Sequence, residues 1–233
     1  MEPLLRGQFR MASVSLQLAW HRQGLTMARL EEVAAKLVGT YPVTSQLAPP
    51  QVAAPTLQLA SDDRCYLVEL APHRAGWRWL SRSPSEPAMP LGTMAQIAVA
   101  LLADLASQLE VRVGRVGLVV ERLAAHASPA LALGYQVLSP MVSAAMVQPA
   151  GLALELRERV GIAGRAATTV LRVASVMRRP GAGDSAALLA HEVSTLEEDQ
   201  GAAQLSSTQL GEFAMAAAAH AEQQLVALFP HRE

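Results

Sequence analysis

The feature that most constrains the fold is a helix that leads almost directly into a strand, in residues 91–123. Apolar side chains recur at the i, i+3, i+4, i+7 spacing of one helical face over residues 94–109, starting with Met94 and Ile97. Thr93 occupies the position of an N-cap, where its hydroxyl would accept a backbone N–H of the first turn. A helix with one apolar face needs a partner surface, so we expect it to lie on a sheet.

The strand that follows is predicted over residues 111–122, where β-branched and apolar residues suit a buried, pleated surface. Gly114 and Gly117 interrupt the alternation of this segment. A glycine inside a strand indicates a bulge or the close approach of another backbone. Simple packing is the alternative interpretation of both glycines.

The chain before this segment predicts the order β-α-β-β-β-α. Alternation with a period of two predicts a half-buried antiparallel strand at 12–20, and Thr26 is placed to cap a helix. Residues 1–10 have no period and predict a loose arm, and residues 43–55 predict an extended connection. Three further strands, separated by turn-forming residues, follow. The predicted elements of this part are a strand at 12–20, a helix at 27–38 and strands at 56–60, 64–70 and 76–82.

The chain after the central segment predicts a related order. Residues 124–151 contain three of the prolines and predict a short helix at most. Three strands are predicted next, at 152–162, 168–178 and 186–196, and the first has the strongest alternation in the chain. Ser206 and Gln209 form an S-x-x-Q capping box that begins a last amphipathic helix, predicted to end near Phe229.

These patterns predict an α+β fold, with antiparallel sheet and long packed helices, built from two loosely repeated β-α-β-β-β-α halves. The first half spans residues 1–109 and the second spans residues 110–233. The halves are either two units or one continuous domain, because the sequence does not decide whether they share a sheet.

Composition excludes several classes of protein. The 233 residues are 51% apolar and carry a net charge of about −1, without the basic stripe of an electrostatic nucleic-acid binder. Cys65 is the single cysteine, so neither an internal disulfide nor a multi-cysteine metal site is possible. Residues 1–10 have no apolar signal segment, and no uninterrupted apolar run reaches the roughly 18 residues of a membrane span. We therefore expect a cytoplasmic protein that contacts no membrane.

The layout resembles a sporadically distributed family of uncharacterised bacterial proteins of about this length. The resemblance rests on the YP pair at 41–42, the strand pair at 56–70, the RVGRVGL segment at 112–118 and the acidic LEED segment at 196–199. It covers most of the chain, although residues 124–150 depart from the pattern. The resemblance implies no established activity, so it assigns no functional residues.

No motif of a known catalytic or nucleotide site is present. The chain lacks G-x-x-x-x-G-K-[ST] and G-x-S-x-G, and its one G-x-G lies between predicted strands rather than before a helix. No two of the six histidines are spaced at i+3 or i+4, as a helical metal pair would be. His191 and Glu192 are adjacent on a predicted strand and point to opposite faces, which makes them a poor acid–base pair.

Two groups of residues are candidates for binding. Carboxylates close together can hold a divalent cation, although acids before a helix are ordinarily solvated or favoured by the helix N-terminus. Trp is favoured at interface hot spots, although the two tryptophans of the 76–82 strand can instead pack under a helix. The Ala-rich face of the last helix would permit close contact with a helix of another subunit. The metal candidates are Glu197, Glu198 and Asp199, and the interface candidates are Trp77, Trp79, Phe213, Ala217 and Leu225.

Three functions follow from these observations. The first is a non-enzymatic binding or scaffold protein that forms a homo-oligomer or binds a protein partner, with a role as an accessory component of a bacterial multi-protein system. The second is a chaperone-like binder of unfolded or extended peptides. The third, an enzyme with a dispersed site, would need His191, Glu197 and Asp199 to converge in space. No cofactor is expected.

Overall fold

The structure, a computed structural model, describes residues 3–20, 25–47, 56–82, 89–138, 151–177, 185–196 and 204–229. Its elements, in chain order, are a 3-10 turn (Arg6–Gln8), β1 (Arg10–Trp20), α1 (Met27–Thr40), β2 (Val43–Leu47), β3 (Leu57–Ser61), β4 (Tyr66–Ala71), β5 (Arg74–Leu80), α2 (Leu91–Gln108), β6 (Val113–Ala125), α3 (Pro129–Val137), β7 (Ala153–Ile162), β8 (Arg165–Met177), β9 (Ser185–Thr195) and α4 (Ser207–Leu228).

The nine strands form one antiparallel sheet in the order β2-β3-β4-β5-β1-β6-β9-β8-β7. The predicted α+β class is thereby confirmed. The halves share this sheet, because β1 and β6 pair at its middle, with Val14 opposite Val120. Outward from that pair, the order β5-β4-β3 on one side corresponds to β9-β8-β7 on the other, and β2 is one strand more.

The core lies between one face of the sheet and the helices. Alternate residues of β1, such as Leu16 and Leu18, and of β6, such as Leu118, are buried beneath α2 and α4. Each fully buried Leu side chain contributes roughly 1.5 to 3 kcal/mol relative to exposure. We call this side the helix face and the opposite side the open face, because no helix of the described residues covers it.

The helix ends test three capping predictions. The Gln209 N–H donates to Ser206 Oγ at 3.2 Å and the Ser206 N–H donates to Gln209 Oε1 at 3.0 Å, so the capping box is confirmed. Thr26 is also the N-cap of α1. The prediction for Thr93 is wrong, because α2 begins at Leu91. Pro90, whose φ of −53° suits a helix start and which donates no hydrogen bond, is the N-cap.

The two glycines of β6 differ in their roles. Pairing passes from Ala19 opposite Arg115 to Trp20 opposite Val113, which leaves Gly114 unpaired in a bulge. Gly117 is paired normally, and a Cβ at this position would lie 3.3 Å from Ser194 Cβ. The bulge and the close approach that the sequence offered as alternatives are therefore both present, one at each glycine.

Two predictions about irregular segments are wrong within the described residues. The arm at 1–10 is anchored from residue 3 onward, because Leu4 and Phe9 are buried and the Phe9 ring lies 4.3 Å from that of Phe229. The side chain of Gln136 also bonds both backbone groups of Leu4. In the connection at 43–55, residues 43–47 form β2, and the rest lies outside the described residues. Both segments are held in place by contacts with residues that are distant in sequence. Local periodicity does not reveal such contacts.

Helix α2 is the one described helix that is long and apolar enough, by length and composition, to cross a membrane, with a mean hydropathy of 1.2. It is packed against β1, β5 and α4, and 44% of it is buried inside the protein. The core helix of a soluble protein has the same composition. Ile97, predicted on its apolar face, is 36% exposed, because the covered face is centred on Met94, Leu101 and Leu105.

Candidate functional site

The metal candidates Glu197, Glu198 and Asp199 lie outside the described residues. Among the residues that the structure describes, no group of three or more His, Cys, Asp or Glu side chains is arranged to hold a metal ion. A metal site at these carboxylates therefore stays a prediction.

Four of the five interface candidates are buried in this chain's own core. Trp77, Phe213, Ala217 and Leu225 are at most 6% exposed, and Trp79 is half-buried against the same core. The structure corrects the prediction for these four, since they have no free surface to offer a partner. The physical reason is that the sheet and α2 already cover the apolar stripe of α4, and that Trp77 of β5 lies in the same core beneath the helices.

The small residues of α4 bring it close to α2. A Cβ at Gly92 of α2 would lie 3.3 Å from Met215 Cε, and a Cβ at Gly211 of α4 would lie 3.9 Å from Val99 Cγ1. The close helix contact expected between subunits is thus made within one chain.

His191 and Glu192 do lie on opposite faces of β9, as predicted. His191 is 2% exposed on the helix face, whereas Glu192 is on the open face, 3.7 Å from an Arg172 nitrogen. Glu197 and Asp199, which were proposed to converge with His191, lie outside the described residues. Its observed neighbours come instead from β6 and α4.

Arg122 of β6 and His191 of β9, which are buried, meet the half-buried His220 and the exposed Glu222 of α4 there. We call these four residues the buried basic cluster. The rings of His191 and His220 have centroids 5.2 Å apart. Arg122, 2% exposed, donates from Nη2 to Glu222 Oε1 at 2.6 Å. Arg122 Nη1, His191 Nδ1 and His220 Nε2 have no hydrogen-bond partner among the described residues. The cluster is therefore an incompletely satisfied polar site inside an apolar core.

Burial sets the charge state of this cluster. Burial, together with the smaller effects of the nearby His220 and Arg122, lowers the pKa of His191 to about 4. Burial also lowers the pKa of Arg122, and Glu222 opposes that change. His191 is consequently neutral at pH 7, and α4 covers it, so a substrate cannot reach the imidazole without displacing the helix. The cluster has the properties of a pH-sensitive structural element rather than a reaction centre.

Sequence reasoning missed this cluster because it searched for histidines spaced along one helix. One signal was available in the alternation of β6, where Val116, Leu118, Val120, Arg122 and Ala124 share a face. A charged residue in an otherwise apolar row indicates a buried polar contact.

The second feature is the free edge of β7. This strand is the last in the sheet order, and no described strand pairs with its outer side. The Ser175 N–H donates to the Leu152 carbonyl at 2.8 Å, which fixes the register with β8. In an antiparallel ladder the bonding direction alternates by residue. The odd-numbered residues 153–161 therefore direct their backbone N–H and C=O groups outward.

The middle of β7 has exposed side chains on both faces. On the helix face, Leu156 is 47% exposed, Leu154 and Val160 are half-buried, and only Ile162 is buried. On the open face, Arg157 Nε and Arg172 Nε each lie 2.7 Å from a Glu155 carboxylate oxygen. Hydrogen bonds from Arg172 and Arg157 lower the pKa of Glu155 and keep it charged. Charged residues on an edge strand disfavour indiscriminate pairing and favour partners with complementary charges.

Two features of the described residues thus carry functional information, the buried basic cluster and the free edge of β7. The first is interior and the second is a surface open to a partner. Comparison with known proteins adds no assignment to either, since no protein-family model matches the chain and no curated protein is significantly similar to it.

Proposed function

We propose that the protein is a non-enzymatic scaffold that self-associates through the free edge of β7. Two copies pair antiparallel at this edge and join their sheets into one. The observation that carries the proposal is a regular ten-residue edge strand with outward backbone groups and a 47% exposed leucine, Leu156. Unpaired strand edges of this length readily accept another strand.

Charge selects the register of such a pair. A two-fold axis at Leu156 places the two leucines opposite each other and sets Glu155 of each copy against Arg157 of the partner subunit. An axis at Arg157 would oppose two arginines, and an axis at Glu158 would oppose two glutamates. Opposite charges across a strand pair stabilise it and like charges destabilise it. The Leu156 axis is therefore favoured.

The dimer we propose is reversible. A typical hydrogen bond contributes about 0.5 to 1.5 kcal/mol net, and a contact confined to one edge buries less area than a stable interface of roughly 1,600 Å². We therefore expect association in the micromolar range or weaker.

Light scattering across a concentration series tests the proposal. The Leu156→Lys variant places a charge against its symmetry mate and is expected to be monomeric where the wild type is dimeric. Val226→Lys is the matched control, because Val226 is a 52% exposed apolar residue that lies on α4 and not on the edge strand. A monomeric wild type at every concentration, or equal association of Leu156→Lys and wild type, would refute the proposal.

A second function, binding of extended peptides in a chaperone-like manner, is favoured by the same outward backbone groups. A peptide strand can add to a sheet edge through main-chain hydrogen bonds. The protein would then be monomeric alone and would suppress aggregation of an unfolded model substrate, and Leu156→Lys would weaken that activity. Failure to suppress aggregation removes this alternative.

The remaining expectations belong to the same proposal. The matching strand order on the two sides of the β1–β6 pair supports an origin of the halves by duplication of one unit. The chain has a single cysteine and therefore no internal disulfide, which supports a place in the cytoplasm. The scaffold would serve there as an accessory component of a bacterial multi-protein system.

A further inference from the structure

Two neighbouring cavities, of about 330 and 320 Å³, lie at the open face on the side of the sheet away from β7. The first is lined by Arg64 and Arg78, with Leu67 and Leu80 beside them. The second is lined by Arg10 and Arg82, with Leu123 beside them. They share the end of β5, since Leu80 lines one cavity and the following Ser81 lines the other.

Strand register places this lining on the open face. Arg78 is opposite Ser15 of β1, and Ser15 is opposite Val119 of β6, on the side away from the helices. Arg10 is opposite Leu123 on the same side. The arginines therefore belong to a surface that no helix of the described residues covers.

Three of the four arginines of this surface are not held by an ion pair within the described residues. Within the described part of the chain, the guanidinium groups of Arg10, Arg64 and Arg78 form no hydrogen bond or ion pair, in contrast to Arg172 at the other side of the sheet. Arg82 interacts with Asp63, which is mainly bonded by Ser61 and the Cys65 backbone N–H. Exposed cations that no ion pair within the chain holds are available to attract an anionic partner.

We propose that the two cavities bind an acidic, extended segment of a partner protein, in which carboxylate side chains alternate with apolar ones. The carboxylates pair with the arginines in the bidentate geometry that guanidinium favours. The apolar side chains contact Leu80, which is 40% exposed, and the leucines beside it. This binding is separate from the association through β7.

Other anions fit less well. The arginines are exposed and divided between two cavities, whereas a small anion needs donors that converge on one point. The open face also carries Glu69, Glu121 and Glu192, and the net charge of the chain is −1. These charges repel a continuous phosphodiester backbone and leave room for a short acidic segment.

Binding is measured by fluorescence anisotropy with a labelled synthetic peptide of alternating Glu and Leu. The same peptide with Gln in place of Glu, and a single-stranded oligonucleotide, are the comparison probes. We expect the acidic peptide to bind and its affinity to fall with added salt. The single cysteine, Cys65, lines the first cavity, so bound peptide should also slow the alkylation of Cys65. This measurement uses the native side chain, and no cysteine has to be introduced.

The double variant Arg64→Gln and Arg78→Gln is expected to weaken acidic-peptide binding by about tenfold or more. Each substitution removes a charge-assisted hydrogen bond to the peptide, and such bonds contribute more to affinity than neutral ones. Arg74→Gln is the matched control, because Arg74 is an exposed arginine at the opposite end of the same strand. Leu156→Lys should bind the peptide like the wild type, which separates this proposal from self-association. Equal binding of the Gln peptide, equal binding of the double variant, or tighter binding of the oligonucleotide would overturn the proposal.

Discussion

The imidazole of His191, on the central part of the sheet, lies against that of His220 on α4, with ring centroids 5.2 Å apart. Arg122 completes the group from the neighbouring strand, so two imidazole rings and a guanidinium lie together on the helix face of the sheet. Only one acidic group, Glu222, bonds to it among the described residues. Adding a proton at this site therefore places like charges together inside the core.

We predict that stability falls as the pH is lowered from about 6.5 to about 4. The folded protein keeps His191 neutral until its lowered pKa of about 4, whereas the unfolded chain takes up the proton near the ordinary value of 6.5. The unfolded state therefore binds more protons in this window, and lowering the pH favours it. The loss amounts to roughly 3 kcal/mol once the pH is below both values. Urea unfolding at a series of pH values measures it.

A comparison of variants assigns this loss to His191. His191→Leu removes the titrating ring and should show a shallower fall of the free energy of unfolding with pH than the wild type. His73→Gln, at an exposed turn between β4 and β5, is the control and should keep the wild-type slope. The assignment fails if the His191→Leu slope equals that of the wild type.

The Arg122–Glu222 pair should be asymmetric in its response to substitution. Glu222→Ala leaves a buried guanidinium without its carboxylate and should cost about 2 kcal/mol, a moderate value because the Glu222 side chain is 48% exposed. Arg122→Met replaces the charge by an apolar side chain and should be near neutral or stabilising. Chemical unfolding at pH 7 measures both. Equal losses in the two variants would contradict this account.

Charge reversal tests the register proposed for the β7 edge. Glu155→Arg alone would oppose two arginines across the two-fold axis and should abolish dimerisation. The double variant Glu155→Arg with Arg157→Glu restores opposite charges across the axis and should recover at least part of it. Sedimentation equilibrium distinguishes these outcomes. Recovery is not expected if the axis passes through another residue.

Two glycines in strands should respond oppositely to alanine. At Gly117 the new methyl group would meet Ser194 Cβ at 3.3 Å, so Gly117→Ala should cost about 1 kcal/mol or more. At Gly161 of the edge strand nothing lies within 4 Å of the new atom, so Gly161→Ala should be neutral or stabilise by some tenths of a kcal/mol. Thermal unfolding of the two variants checks the difference. A neutral Gly117→Ala would argue against close approach of β6 and β9.

Local patterns were sufficient for most elements of the fold. The alternation of β1 and β8 and the caps at Thr26 and Ser206 depend on residues near in sequence, so periodicity and side-chain chemistry located these elements within a few residues. The start of α2 was misplaced because Pro90 and Thr93 both suit a helix start, and only the backbone decides between them.

The site was beyond local patterns because its parts are distant in sequence. The buried basic cluster joins residues from β6, β9 and α4, and no spacing rule connects Arg122 with His191 or Glu222. The interface residues were misassigned for a related reason. An apolar stripe such as that around Phe213 shows that a partner surface exists, but not whether the same chain supplies it.

The pairing of β1 with β6 has a consequence for how the chain can be divided. The two halves are linked covalently only through the turn between Gln108 and Val113. Their non-covalent contact consists of the pairing of β1 with β6 and the packing of α2 against α4. A break in that turn would leave both contact surfaces intact, so separately expressed halves should recombine into the native sheet. Each half expressed alone would have an unpaired edge, at β1 or at β6. A second copy of the same half would then be the most similar partner for that edge.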